Sequence, residues 1–241
     1  MTNLENIIDR QIKRWELEKK RREEEQKAQA KEIFPGPVIT VSRERGSRGS
    51  YLARRLAERL NYQLVHREII DYMVKDTGVR RRLIESLDEK VKSEIELWVE
   101  GLLKGKYLGK SDYFYHLTKL ILAIAQHGET VIIGRGANFV LGLEKGFHIR
   151  IVSPVEKRIE NLIEYKHFNA AQAKKEIERG DKERKEFIHT FFGKNIDDPS
   201  AYDLILNTAN FQIGEALDLI LKAFESKFKK SQGSKISDLH I

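Results

Sequence analysis

The segment 38–60, VITVSRERGSRGSYLARRLAERL, is the feature that most restricts how this chain can fold. It begins with a β-rich apolar run at 38–41 and passes through a loop rich in glycine, serine and arginine. It then continues as an amphipathic helix whose apolar face is formed by Leu52, Ala53, Leu56 and Leu60. Backbone N–H groups at such a helix start can bind a phosphate. The segment therefore predicts a strand–loop–helix unit with an anion site in its loop.

The same alternation of strand and helix patterns continues along the chain. Further strands are predicted at 63–65, 130–133, 147–152 and 202–206, with a mostly helical stretch over 69–126. The sequences Ser153-Pro154-Val155-Glu156 and Asn169-Ala170-Ala171-Gln172 both resemble capping boxes that open helices. Strands separated by helices predict an α/β fold with a parallel five-stranded sheet flanked by helices.

Basic side chains recur where the predicted strands end. Arginines follow the first strand in the loop, the second at Arg67, and the third at Arg135 between two glycines. In parallel sheets, ligands bind beyond the carboxyl ends of the strands. This edge of the sheet is therefore predicted to bind an anion.

The loop departs from the phosphate-binding pattern G-x-x-x-x-G-K-[ST], because only Ser50 fits it. Arginine can replace the missing lysine electrostatically, since guanidinium stays charged and binds phosphate through two hydrogen bonds. We therefore predict phosphate contacts from six loop residues, with Ser50 also binding Mg²⁺: Arg43, Gly46, Ser47, Arg48, Gly49 and Ser50. The alternative is a polar loop that has lost its nucleotide.

Composition divides the chain into three regions. Residues 1–34 form a predicted charged helix with an apolar stripe of Leu4, Ile8, Ile12 and Trp15, residues 35–229 form the main domain, and residues 230–241 form a flexible tail. The stripe suggests docking to a protein partner or self-association. A solvated, charged extension is the alternative, which we prefer for 19–32, where i,i+4 ion pairs recur.

Bulk composition narrows the functional classes. The chain has 44 basic and 37 acidic residues and a net charge of +7, which favours anionic ligands, although a merely basic surface gives the same balance. It has no cysteine, which excludes disulfides and thiolate metal sites, and no apolar run of membrane-spanning length. We expect a cytoplasmic protein without a membrane partner. Aromatic residues do not alternate with basic ones, which argues against nucleic-acid binding.

Six motifs in order resemble the cytidylate kinase-like family of P-loop proteins across about residues 37–226: ITVSRERGSRGS, LVHREIID, VIIGRGANFVL, FHIRIVSPVEKRI, RGDKERKEF and YDLILNTANF. The resemblance implies a nucleoside monophosphate kinase fold with a helical NMP-binding insertion at 76–128 and a lid at about 154–195. Five positions depart from the family's pattern, two of them at Ile133 and Gly136, where acidic neighbours of Arg135 are usual. Arg48 replaces a usual glycine, Ser50 a usual arginine, and His66 a usual acidic residue.

The resemblance also implies an activity, the transfer of the γ-phosphoryl group of ATP to CMP, dCMP or a related monophosphate with Mg²⁺. Arg135 and Arg158 would be catalytic, and four residues would bind the acceptor nucleotide: Arg67, Arg179, Glu183 and Arg184. Glu44, Glu68 and Asp71 are candidate carboxylates for Mg²⁺. The altered loop leaves open a second interpretation, an inactive nucleotide-binding pseudo-kinase that acts as a sensor or scaffold.

Overall fold

A computed structural model describes residues 6–17, 37–87, 89–104 and 112–237. Its centre is one sheet of five parallel strands in the order β2-β3-β1-β4-β5, with bounds Ile39–Arg43 (β1), Gln63–His66 (β2), Thr130–Ile133 (β3), Phe147–Val152 (β4) and Leu204–Asn207 (β5). The predicted fold class is confirmed. The first strand begins one residue later than expected and runs to Arg43, and the last strand is displaced toward its carboxyl end.

Helices cover both faces of the sheet. Residues 6–17 form α1, and the remaining bounds are Gly49–Leu60 (α2), Arg67–Lys75 (α3), Thr77–Glu85 (α4), Glu89–Lys104 (α5), Asp112–His127 (α6), Ala137–Leu141 (α7), Val155–Lys166 (α8), Ala170–Phe192 (α9) and Ile213–Ser237 (α10). Short 3₁₀ turns lie at Leu143–Lys145 and Pro199–Ala201. Within the described part of the chain, no helix has the length and apolar character of a membrane span.

Two apolar clusters form the core. On one face, Ile39 and Val41 of β1 pack with α2 and α10 through Leu52, Leu56 and Ile220. On the other face, α1 and α3–α7 pack together in the second apolar cluster. This cluster includes residues from the described part of the helical insertion predicted at 76–128. A cluster of aromatic rings joins α9 to α6. The ring centroid of Phe114 lies 5.6 Å from that of Phe191 and 5.2 Å from that of Phe192. The insertion and the long α9 are therefore anchored to each other.

One of the two predicted capping boxes forms. Asn169 accepts from the N–H of Gln172, whose side chain accepts from the N–H of Asn169, so α9 is capped as expected. The capping box predicted at Ser153 does not form. The N-cap of α8 is Pro154, and Ser153 lies one residue before it. The N–H of Ser153 donates to the carboxylate of Glu44 instead of to a residue in the first turn of α8.

The apolar stripe of the N-terminal helix faces this chain's own core. Ile8, Ile12 and Trp15 are each 1% exposed, and Trp15 stacks on His127 with 4.9 Å between ring centroids. Gln11 donates to the carbonyl of Leu64 on the edge strand β2 at 3.0 Å. The described stripe is thus unavailable to a partner in this structure, which corrects the expectation that it is a surface for docking or self-association.

Parts of the predicted terminal regions lie outside the described residues, namely Leu4, the charged segment 18–34 and residues 238–241. Helix α10 continues to Ser237, past residue 224, where the amphipathic pattern ends. It therefore includes most of the range 230–241. Flexibility of that range stays a prediction.

Replacing Trp15 tests whether α1 is part of the fold. We expect Trp15→Ala to lower the free energy of unfolding by about 3 kcal/mol, because it removes a buried indole and leaves a cavity. The matched control is Leu17→Ala on the same helix, where the side chain is 67% exposed and a change below about 0.5 kcal/mol is expected. Urea denaturation measures both. Equal, small effects would contradict the docked arrangement.

Candidate functional site

The loop after β1 ends at an open helix terminus. Arg48 is the N-cap of α2 with φ 63° and ψ 4°, its side chain makes no capping hydrogen bond, and the first turn contains no acidic residue. The first N–H groups of a helix have no intrahelical partner, and that end carries a partial positive charge. A left-handed conformation costs a non-glycine residue about 1 kcal/mol. This terminus can therefore accept an anion, at the expense of strain at Arg48.

Close packing fixes the path of the loop. At Gly46, where φ is 84°, an added Cβ would lie 2.8 Å from the carbonyl oxygen of Arg158. At Gly49 it would lie 2.5 Å from Cβ of Arg43. Both distances are shorter than real Cβ contacts allow, so only glycine fits these positions.

Arg158 supports the loop from beneath. Its side chain is buried, forms an ion pair with Asp181 on α9 and lies 3.7 Å from the Glu44 carboxylate. Asp181 also accepts from the N–H of Arg45 at 2.8 Å, and Asn161 donates to the carbonyl of Gly46 at 2.8 Å. The loop, α8 and α9 are joined in one polar network. The predicted catalytic residue Arg158 is used here to hold the loop.

A cleft of about 570 Å³ runs along the outside of the loop, and we call it the loop cleft. Its floor is the loop and the start of α2, and its far wall is α8. Six cationic side chains line it: Arg43, Arg45, Arg48, Arg54, Lys166 and Arg184. The carboxylate of Glu44 is the acidic group in its lining. This charge balance favours a strongly anionic ligand.

A second cleft of about 250 Å³, the sheet-edge cleft, lies beyond the carboxyl ends of β1 and β3. Its cationic lining consists of Arg43, Arg67, Arg135 and Arg184, and its apolar walls include Phe139, Phe187 and Ile196. Such a mixture of charged and apolar surface suits a ligand that has a phosphate and a flat ring.

Arg135 is held rigidly in the sheet-edge cleft. Its guanidinium forms two hydrogen bonds to Asp71 and lies 4.7 Å from the centre of the Phe187 ring. Tyr113 donates a further bond to Asp71 at 2.9 Å. Although burial disfavours its charge, the hydrogen bond to Asp71 raises the pKa of Arg135. Arg135 therefore stays charged and oriented toward the cleft.

Arg43 and Arg184 line both clefts. Burial, and then the charges of Arg184 and Arg67, lower the pKa of Arg43 to about 9. Burial also lowers the pKa of Arg184, and Arg45 and Arg67 add to that effect. The two guanidinium groups lie where an anion bound in one cleft would meet an anion bound in the other.

The structure brings together most of the predicted site residues. Four of the predicted phosphate contacts besides Arg43 line the loop cleft: Gly46, Arg48, Gly49 and Ser50. Arg67, Arg135, Glu183 and Arg184 line the sheet-edge cleft.

Besides Arg158, two predicted site residues have other contacts. Ser47 is buried, and its hydroxyl donates to the carbonyl of Glu44 rather than lining the loop cleft. Arg179 lines neither cleft, and its exposed side chain pairs with Glu176 and Glu183 on α9. Its predicted contact with an acceptor stays a prediction.

The candidate ligands for Mg²⁺ differ in availability. Ser50 is exposed at the start of α2, and its Oγ accepts from Nε of Arg43 at 3.2 Å. The three carboxylates are already engaged. Glu44 accepts a hydrogen bond from the N–H of Ser153, and Asp71 forms an ion pair with Arg135. The Glu68 carboxylate lies 2.8 Å from Nδ1 of His66. Among the described residues, no group of three acidic or histidine side chains could hold a metal ion. The donor set fits a Mg²⁺ ion held by Ser50 and by phosphate oxygens, not one held in a carboxylate cage.

Three residues on one helical face of α8 were missed as part of the site. Asn161, Leu162 and Tyr165 follow the predicted Arg158 with the spacing i, i+3, i+4, i+7, and all four lie toward the loop. The mixed polarity of this face hid the three from a search for apolar periodicity. Tyr165 accepts a hydrogen bond from Arg48, whose guanidinium carbon lies 5.0 Å from the centre of the tyrosine ring.

The fold and the arginine-lined loop define a protein of the P-loop kinase type. The cytidylate kinase-like family matches residues 38–210, well over half of the chain, and the chain belongs to that family. A cytidylate kinase from Haloarcula marismortui is 26% identical over 194 residues, which cover 78% of this chain and 90% of that protein.

Two further similarities are more limited. A uronate isomerase from Corynebacterium glutamicum is 28% identical over 99 residues, which are 41% of this chain and only 19% of that relative's length. The crystal structure of an uncharacterized protein from Eubacterium ventriosum has a TM-score of 0.63 and 24% identity, covering 79% of this chain and 98% of that one. The latter similarity supports the fold alone.

The lowered pKa of Arg43 makes a prediction about stability. A depressed cationic pKa means that the folded protein disfavours the charge at neutral pH, so removing the charge should stabilise the fold. We expect Arg43→Met, which keeps an unbranched apolar stem, to raise the free energy of unfolding by about 2 kcal/mol at pH 7.

Urea denaturation without added anions measures this effect. The control is Arg55→Met on the exposed side of α2, where Arg55 pairs with Glu58 and a change within about 0.5 kcal/mol is expected. A destabilised Arg43→Met protein would show that the charge is compensated within the folded chain.

Proposed function

We propose that this protein is a nucleoside monophosphate kinase that transfers the γ-phosphoryl group of ATP to CMP, dCMP or a related nucleoside monophosphate. The observation that supports this most directly is the pair of clefts that share Arg43 and Arg184. Phosphoryl transfer requires two anionic substrates whose phosphates meet in line, together with cations that neutralise the charge between them.

The loop cleft is the proposed donor site. The uncapped start of α2 offers backbone N–H groups to the phosphates, and the glycines at 46 and 49 leave room for close approach. Arg43 and Arg48 supply the charge that a P-loop lysine would otherwise supply. The network of Arg158, Asp181 and Glu44 keeps the loop in place, so that these groups need little rearrangement on binding.

The sheet-edge cleft is the proposed acceptor site. Arg135, fixed by Asp71, would contact the acceptor phosphate and the transferred group, while Arg67 and Arg184 add positive charge. Phe139 and Phe187 provide apolar surface for the base and sugar. Mg²⁺, held by Ser50 and the donor phosphates, would supply further charge neutralisation when bound.

A second candidate function has one specific observation in its favour. Both Glu44 and Asp71 are engaged in structural contacts, so neither is free to organise Mg²⁺ through its coordinated waters. A pseudo-kinase that binds nucleotide without turnover would tolerate this arrangement. The two functions differ in whether an acceptor nucleotide stimulates ADP formation.

ADP release from MgATP in the presence of single nucleoside monophosphates tests the proposal. We expect ADP formation that depends on CMP or dCMP and falls at least about 100-fold in kcat/KM for Arg135→Ala, because a charge aimed at the transferred group is lost. Arg55→Ala, the same substitution at an exposed position outside both clefts, should retain wild-type activity.

The alternative outcomes separate the candidates. Nucleotide binding by calorimetry, without acceptor-dependent ADP for any monophosphate, would reject the kinase and support the pseudo-kinase. Activity that is unaffected by Arg135→Ala would reject the assigned acceptor site.

A further inference from the structure

Arg48 connects the floor of the loop cleft to its far wall. Its backbone belongs to the loop at the start of α2, and its guanidinium reaches Tyr165 in the last turn of α8. Both residues line the cleft, and Tyr165 is 52% exposed beside it. The arginine side chain thus crosses the space above the helix terminus that would receive the donor phosphates.

The contact between Arg48 and Tyr165 can be replaced by a contact between Arg48 and a phosphate. The guanidinium has one hydrogen bond to a neutral phenol and lies over the face of its ring at 5.0 Å. A phosphate oxygen is a stronger acceptor for guanidinium than a phenol hydroxyl, because it is itself negatively charged and a phosphate can accept two parallel N–H···O bonds from one guanidinium. An incoming polyphosphate would therefore take Arg48 from Tyr165.

Strain at Arg48 agrees with a function for its side chain. Its φ of 63° is one that glycine adopts freely, yet the chain has a long cationic residue there. Arg43, Arg45 and Arg184 line the same cleft, so Arg48 adds a fourth guanidinium group to it.

We propose that Tyr165 is a storage site for the Arg48 guanidinium, and that donor binding transfers Arg48 from the tyrosine hydroxyl to the donor polyphosphate. This inference rests on the donor site of the proposed function and adds Tyr165 to it as a residue that sets donor affinity. The exchange lowers affinity, because the contact with Tyr165 must be broken each time a donor binds. It also couples donor binding to α8, which carries one partner of the contact.

Removing only the tyrosine hydroxyl tests the exchange. Tyr165→Phe keeps the ring and deletes the acceptor, so we expect it to lower the Kd for inorganic pyrophosphate about three- to tenfold, the range expected for one net hydrogen bond. Arg48→Gly, which relieves the backbone strain, should instead raise the Kd about three- to tenfold, because one phosphate contact is lost. Isothermal titration calorimetry measures both without requiring turnover.

The double variant identifies the mechanism. In the Arg48→Gly background, Tyr165→Phe should change the Kd by less than about 1.5-fold, since the two residues act on one contact. The matched control is Tyr115→Phe, which removes a hydrogen bond to Glu96 on the helical insertion outside the loop cleft and should leave the Kd unchanged.

Three results would overturn the exchange. Equal effects of Tyr165→Phe in both backgrounds would show that Tyr165 acts independently of Arg48. Tighter binding by Arg48→Gly would show that Arg48 only obstructs the cleft. Absence of pyrophosphate binding in every protein would reject the donor site as well. Coupled pyrophosphate binding without acceptor-dependent ADP would retain the exchange and reject only the kinase.

Discussion

Half-buried guanidinium groups that lie beside one another are the constraint on which the site depends. Charges removed from water and placed next to like charges are unfavourable unless an anion joins them. Here Arg43 has a pKa lowered to about 9 through burial and the proximity of Arg184 and Arg67. The folded chain supplies few carboxylates at that point. The geometry is therefore complementary to something anionic that the chain itself does not contain.

A polar network holds these cations in place against their repulsion. Arg158 and Asp181 form its centre, and they connect the loop, α8 and α9 through Arg45 and Glu44. Removing one partner of such a buried pair leaves an uncompensated charge, so substitutions in the network are expected to destabilise the fold strongly. The same network explains why Arg158, which the family resemblance places among the phosphate contacts, is used for support in this arrangement.

The sequence was sufficient to predict the sheet, because each strand pattern is short, apolar and separated from the next by a helix. It also predicted that Arg43, Arg67 and Arg135 lie at one edge of the sheet, and all three line the sheet-edge cleft. The predicted box at Ser153 failed because a local pattern does not reveal that Glu44, 109 positions away, takes its N–H. The prediction that the apolar stripe of the N-terminal helix is a docking surface failed for a similar reason. Periodicity identifies an apolar stripe at Ile8, Ile12 and Trp15 but not the surface that buries it. Tyr165 was missed because its contact with Arg48 depends on the distance between two elements.

The central claim is that the two clefts hold donor and acceptor at the same time, with Arg43 and Arg184 between their phosphates. A compound in which adenosine and cytidine are joined through their 5′ oxygens by five phosphates would span both clefts. Calorimetry should show one such molecule per chain, bound at least about tenfold more tightly than ATP, because the linked ligand loses its translational freedom only once. CMP and ATP should each compete with it. Binding no tighter than that of ATP, or competition by ATP alone, would contradict the account.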